Sequence, residues 1–236
     1  MKWTRQFVIS SIKVPAYLSI MLLIIHIVNV LLGMQLNVFG VYPRSLESLP
    51  GVLTAPLIHG DFNHLFSNLV PLFTMVMVML LFYPKIAVRS LIFIYVTTGI
   101  AVWLFARSVF HIGASGVVYG LISFVFWLGV FRKSTKSIVL SLIIVMMYGG
   151  YVAGLSPHQP GISWESHLFG AIMGLIAAYL FKAQIEEDEK PKVYDWELET
   201  ESSEPYLPDD IFQKTKEERK REDYLNYWSQ DDTRNP

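Results

Sequence analysis

Ser115 lies in the run Gly113-Ala114-Ser115-Gly116, where a polar loop gives way to a long apolar stretch, and His167 lies at the start of another. A serine hydroxyl is a weak nucleophile until a base within hydrogen-bond reach takes its proton. Polar side chains inside a bilayer are costly and mark functional positions. A serine and a histidine at one membrane depth therefore read as a nucleophile and its general base.

His64 and Asn68 are four residues apart, so they share one face of a helix. With the unpaired backbone N–H groups at the helix start that holds Ser115, they are candidate donors to an oxygen that becomes negative during acyl transfer. The side chains of serine and histidine are short, so the helices carrying them must nearly touch. Gly116 with Gly120, and Gly170 with Gly174, supply small-residue faces for that approach.

Such chemistry needs a membrane scaffold, and the composition provides one. Of 236 residues 53% are hydrophobic and 17% charged. The charges are segregated: residues 1–182 hold 11 Lys/Arg and 3 Asp/Glu, and residues 183–236 hold 8 Lys/Arg and 17 Asp/Glu. The near-neutral total thus joins a basic membrane unit (1–182) to an acidic tail (183–236) with a charged stretch from Asp209 to Tyr227, the tail expected to be cytoplasmic and mostly flexible with one short helix at most. There are no cysteines, which excludes disulfides and thiolate chemistry.

Six stretches have the length and apolarity of transmembrane helices: 14–32, 64–83, 86–106, 115–131, 137–154 and 164–181. The expected fold is all-α, a polytopic six-span bundle. The first apolar stretch is too long for a signal peptide and has no small-residue cleavage site, so it is read as a retained span. Nine Lys/Arg (Lys2, Arg5, Lys13, Lys85, Arg89, Arg132, Lys133, Lys136 and Lys182) flank one side, and Arg44 and Arg107 the other. Positive charge favours the cytoplasm, so both termini are expected there. Counting back from the basic flank, Asn68 lies 17 residues before Lys85, Ser115 17 before Arg132, and His167 15 before Lys182. At 1.5 Å per residue all three fall in one layer, roughly 5–10 Å below the outer boundary.

These residues resemble the rhomboid family of intramembrane serine proteases. The match rests on Gly113-Ala114-Ser115-Gly116 followed by Tyr119, on His59 with His64 and Asn68, and on His167 with Gly170 and Gly174, in that order across six spans. It covers about residues 10–182. The resemblance implies that Ser115 is the nucleophile and His167 its base, without a third acid, that His64 and Asn68 line the oxyanion hole, and that Tyr119 stacks on the catalytic imidazole. It implies transmembrane protein substrates in a lipid bilayer. No cofactor, metal or nucleic acid is expected, and with no targeting segment read in the sequence the expected location is a bacterial inner membrane. Two departures stand out: Tyr42-Pro43-Arg44 lacks the tryptophan many members place before this arginine, and Ser166 stands where an alanine often precedes the base.

Other readings remain open. A metal-dependent hydrolase would use His59, His64 and His167 with Asp61, although His59 and His64 are five apart, a poor spacing for one helix face. A binding or quality-control factor on the same scaffold would not need Ser115. His59 either lines a water path or bonds backbone. Asp61 reads as a helix N-cap, Glu165 as pointing away from the site, His26 and Asn29 as bonding the first outer loop, and His111 and His158 as solvated. Tyr95, Trp103, Trp127 and Trp164 read as interfacial or packing aromatics. An outward-open polar cavity is expected among spans two, four, five and six, with the fifth span and its Gly149, Gly150 and Gly154 as a mobile gate.

Overall fold

The computed structural model describes residues 4–157, 163–190 and 212–231. Residues 1–190 form one unit and residues 191–236 another. In the first, the long helices are α1 (Arg5–Leu31), α3 (Phe62–Phe82), α4 (Ala87–Phe105), α5 (Ser115–Arg132), α6 (Thr135–Tyr148) and α7 (Trp164–Phe181), with a one-turn helix α2 (Gly51–Thr54) in the first long loop. Among the described residues, six segments are long and apolar enough to cross a membrane, the fifth being α6 with the turn that follows it. The described part of the second unit holds α8 (Lys216–Asp231), a charged helix. His158 and the tail prolines Pro191, Pro205 and Pro208 lie outside the described residues.

Two boundaries differ from the sequence reading. The first helix begins at Arg5, not near residue 14, because the Thr4 side chain accepts the Phe7 N–H at its start. The α-helix of the fifth span, α6, ends at Tyr148, and residues 149–155 continue as 3-10 turns. The tighter winding of that turn brings its backbone onto the neighbouring helices.

The core is built around α5, whose Val118, Leu121, Phe124, Val125 and Leu128 are fully buried. No other pair of elements packs as extensively as α5 and α7. A Cβ on Gly170 would run into the backbone of Gly116, and one on Gly174 into the backbone of Gly120. Both expected glycine faces therefore meet each other, and the two backbones touch.

The first loop is tied to the end of α4. The Trp103 indole N–H donates to the Ser45 carbonyl at 2.8 Å, and the Arg44 guanidinium donates to the Ala106 carbonyl at 2.8 Å and the Ser108 hydroxyl at 2.8 Å. Arg44 thus caps carbonyls that a helix end leaves unpaired.

At the opposite, basic end the chain does not leave the bundle at residue 182. Residues 185–190 fold back under three helix ends. The Glu189 carboxylate, fully buried, pairs with buried Arg132 at 2.7 Å and accepts from Ser134 at 2.7 Å and Ser137 at 2.6 Å. Arg132 also donates to the carbonyls of Phe181, Lys182 and Gln184. Lys136 bonds Asp188 at 2.8 Å, and the Lys85 N–H donates to Glu186 at 3.1 Å. Burial pushes the Glu189 carboxyl up, but the hydroxyls of Ser137 and Ser134 and the charge of Arg132 override it and hold it below the usual carboxylate value. This clasp links the α3–α4 turn, the start of α6 and the end of α7.

Candidate functional site

Ser115 is the first residue of α5, preceded by Ala114 and by Gly113 at φ +100°. Only glycine holds that backbone conformation without strain. Its missing side chain serves a second need, because a Cβ there would meet the His64 imidazole at 2.6 Å and approach the Asn68 amide at 3.7 Å. The loop before Ser115 thus lies flat against His64 and Asn68.

Both of those side chains come from the first turns of α3. Asp61 caps that helix by accepting the His64 N–H at 2.8 Å, as its position suggested. The Asn68 amide donates to the His64 carbonyl at 2.9 Å. His59 precedes the cap and is buried, and its Nε2 accepts the Ala114 N–H at 3.4 Å. Burial, with help from the nearby His64, pushes the His59 pKa down to about 3. His59 is therefore a neutral acceptor that tethers the Ser115 loop, closer to the backbone-bonding reading than to the water path.

His167 sits in the first turn of α7 and is buried. Its ring lies on that of Tyr119, with centroids 4.1 Å apart and planes 8° from parallel. Its Nδ1 lies 2.9 Å from the Gly154 carbonyl. A carbonyl only accepts, so Nδ1 carries the proton and Nε2 keeps its lone pair. The Tyr119 hydroxyl donates to the Tyr151 carbonyl at 2.7 Å. The 3-10 turn after α6 therefore braces both rings, and Gly154 is required there because a Cβ would collide with the Tyr119 hydroxyl.

Ser115, His167, His64, Asn68 and Tyr119 line one cavity of about 890 Å3, together with Gly150, Tyr151 and Gly154. Its walls come from α3, α5, the turn after α6 and the start of α7, the spans expected to enclose it, and also from the loop 107–112 that leads into α5. Among the described residues no hydrogen bond joins Ser115 to His167; catalytic hydrogen bonds often tighten only when substrate is bound. Gly116, Gly170 and Gly174 act one layer beneath, by letting α5 and α7 touch. His59, His64 and His167 with Asp61 do not gather as a metal-binding group among the described residues.

Several residues are placed differently from the sequence reading. His111 is buried rather than solvated, and its Nδ1 meets the Ser163 hydroxyl at 2.6 Å. Burial pushes its imidazole below the ordinary histidine value. Glu165 does point away from His167, into an ion pair with Arg107 at 3.2 Å. Asn29 does bond the first loop, accepting the Leu36 N–H at 3.4 Å, but His26 packs edge-on against Phe62 instead. Gly154, Tyr151 and Ser163 were missed as site residues. Gly154 alone of the glycines at 149–154 marks a close approach, to Tyr119 and His167.

Comparison with known proteins agrees with this architecture. An uncharacterized protein of Mycobacterium tuberculosis is 33% identical over 172 residues, covering 69% of this chain and 72% of the relative. A protein of Mycobacterium bovis matches equally, and one of Mycobacterium leprae is 27% identical over 187 residues, 75% of this chain and 74% of the relative. The family model described as the rhomboid domain matches residues 47–184. With six membrane-crossing segments and a match over more than half its length, the chain is a multi-pass integral membrane protein that belongs to the rhomboid family of intramembrane serine proteases.

Proposed function

We propose that this protein is an intramembrane serine endopeptidase that cuts membrane-protein helices near the outer leaflet, using Ser115 as nucleophile and His167 as base. The observation that carries this reading is the state of His167: stacked on Tyr119, with Nδ1 committed to the Gly154 carbonyl and Nε2 left basic on the cavity that Ser115 also lines. The Ser115 oxygen attacks the scissile carbonyl as His167 Nε2 takes its proton. The resulting oxyanion is stabilised by the Ser115 N–H at the helix start and by His64 and Asn68. His167 then returns the proton to the leaving amine, and water resolves the acyl-enzyme with the same base. No carboxylate is needed, because a backbone carbonyl orients the imidazole.

The basic end faces the cytoplasm in this reading, so both termini lie inside and the cavity opens toward the outer leaflet. Substrate helices must unwind locally there, since an intact helix keeps its carbonyls in hydrogen bonds. The test is cleavage of a single-span substrate in liposomes by wild type, Ser115→Ala and His167→Ala. Cutting near the outer boundary by wild type alone supports the assignment. Cutting by Ser115→Ala removes it, and a wild type inert toward several substrates favours a binding factor on the same scaffold.

A further inference from the structure

We propose that His111, Ser163 and Ser166 form a hydrogen-bonded strut that holds Ser115 and His167 in register, making them positioning residues for the proposed protease reaction. The inference rests on that reading of the site and concerns residues outside the reacting pair.

The strut runs between the segments that precede the two reacting residues. His111 Nε2 lies 3.0 Å from the Arg107 carbonyl, which only accepts, so Nε2 carries the proton and Nδ1 is the acceptor. Ser163 lies 2.6 Å from that Nδ1 and therefore donates to it. With its only hydrogen committed, Ser163 accepts from Ser166, 2.6 Å away. One direction of donation thus satisfies every link: Ser166 to Ser163, Ser163 to His111, His111 to the Arg107 carbonyl.

Both ends are anchored where they matter. His111 is four residues before Ser115, and its backbone is paired to the first loop by Val41 N–H to His111 O at 3.0 Å and His111 N–H to Val41 O at 2.8 Å. Ser166 precedes His167 directly, and its carbonyl lies 3.0 Å from where a Gly116 Cβ would sit. Gly116, next to Ser115, therefore lies against Ser166, next to His167, with no side chain of its own between them. First turns of helices are their weakest part, because their N–H groups lack intrahelical partners. Both reacting residues sit in such turns. The glycine contacts of α5 and α7 join the helix backbones from Gly116 inward, and leave the segments that precede the two helices to be tied by side chains. The strut, with the parallel Arg107–Glu165 ion pair, ties them. An alanine at 166 would have no hydroxyl to donate, so the serine here gives this chain a link that the commoner residue lacks.

The test compares wild type, Ser163→Ala, Ser166→Ala, Ser163→Thr and Ser115→Ala in detergent. The readouts are kcat and KM on a single-span substrate, the rate at which a fluorophosphonate labels Ser115, and Tm. Expected are a kcat and a labelling rate lower by roughly tenfold or more in both alanine variants. KM and Tm should stay close to wild type. Ser163→Thr, which keeps the hydroxyl at a half-buried position, should restore the rate. Wild-type rates in both alanine variants overturn the strut while leaving the protease reading standing. So does a Tm loss that accounts for the lost activity, since the role is then structural. A wild type that neither cuts nor labels, like Ser115→Ala, overturns the protease reading and the strut's role with it.

Discussion

The imidazole of His167 lies face to face with the phenol ring of Tyr119, 4.1 Å between centroids, and the turn that receives the Tyr119 hydroxyl also receives the His167 Nδ1 proton. Two rings from α5 and α7 are thereby fixed by one short segment, residues 151–154. Stacking sets the plane of the imidazole, and the carbonyl sets its rotation and tautomer.

The two contributions separate by mutation. Tyr119→Phe keeps the stack and loses one hydrogen bond, about 1 kcal/mol, so cleavage should fall less than about tenfold. Tyr119→Ala frees the imidazole, and kcat should fall by about a hundredfold or more. Cleavage kinetics on a single-span substrate check both, and equal losses would show that the stack contributes nothing.

Gly154 and Gly150 line the same cavity yet should respond oppositely to alanine. A Cβ at Gly154 collides with Tyr119 and approaches His167, whereas one at Gly150 meets nothing within 4 Å. Gly154→Ala should abolish cleavage and Gly150→Ala should leave it within about threefold, since surface changes rarely exceed about 0.5 kcal/mol.

The basic-end clasp should matter for stability more than for chemistry. Glu189→Ala leaves the buried Arg132 charge with carbonyl partners but no carboxylate, a loss of up to about 3–5 kcal/mol, visible as a lower Tm in detergent. Replacing both partners together, Arg132→Met with Glu189→Leu, should cost less than the single change. A double variant as unstable as Glu189→Ala would show that the arginine's bonds to the α7 carbonyls dominate.

Acid should weaken folding through His59. An unfolded chain takes up a proton at this residue below about pH 6.5, but the folded chain refuses it until about pH 3. The depressed folded pKa means the associated stability is fully present above about 6.5 and is lost as pH falls through that window. His111, shifted in the same direction, adds to the effect. His59→Gln should flatten the fall in Tm between about pH 7 and about pH 4. An unchanged slope would place the sensitivity elsewhere.

Hydropathy and spacing by themselves determined the six spans and the glycine faces of α5 and α7, and they set the expectation that Asn68, Ser115 and His167, which line one cavity, share one layer. These follow from local rules: bilayer thickness sets helix length, and helical periodicity sets which side chains share a face. The Asp61 cap was legible for the same reason. Only the tertiary structure decided that His111 is buried against Ser163, that Gly154 orients His167, and that Glu189 reaches back to Arg132, 57 residues earlier. Each of those contacts joins a loop or turn to a distant element. Where a loop passes depends on how the packed helices place its ends, and a buried polar group can be satisfied by any partner that geometry brings near. No periodicity in the chain encodes that choice. Packing of the helices makes it.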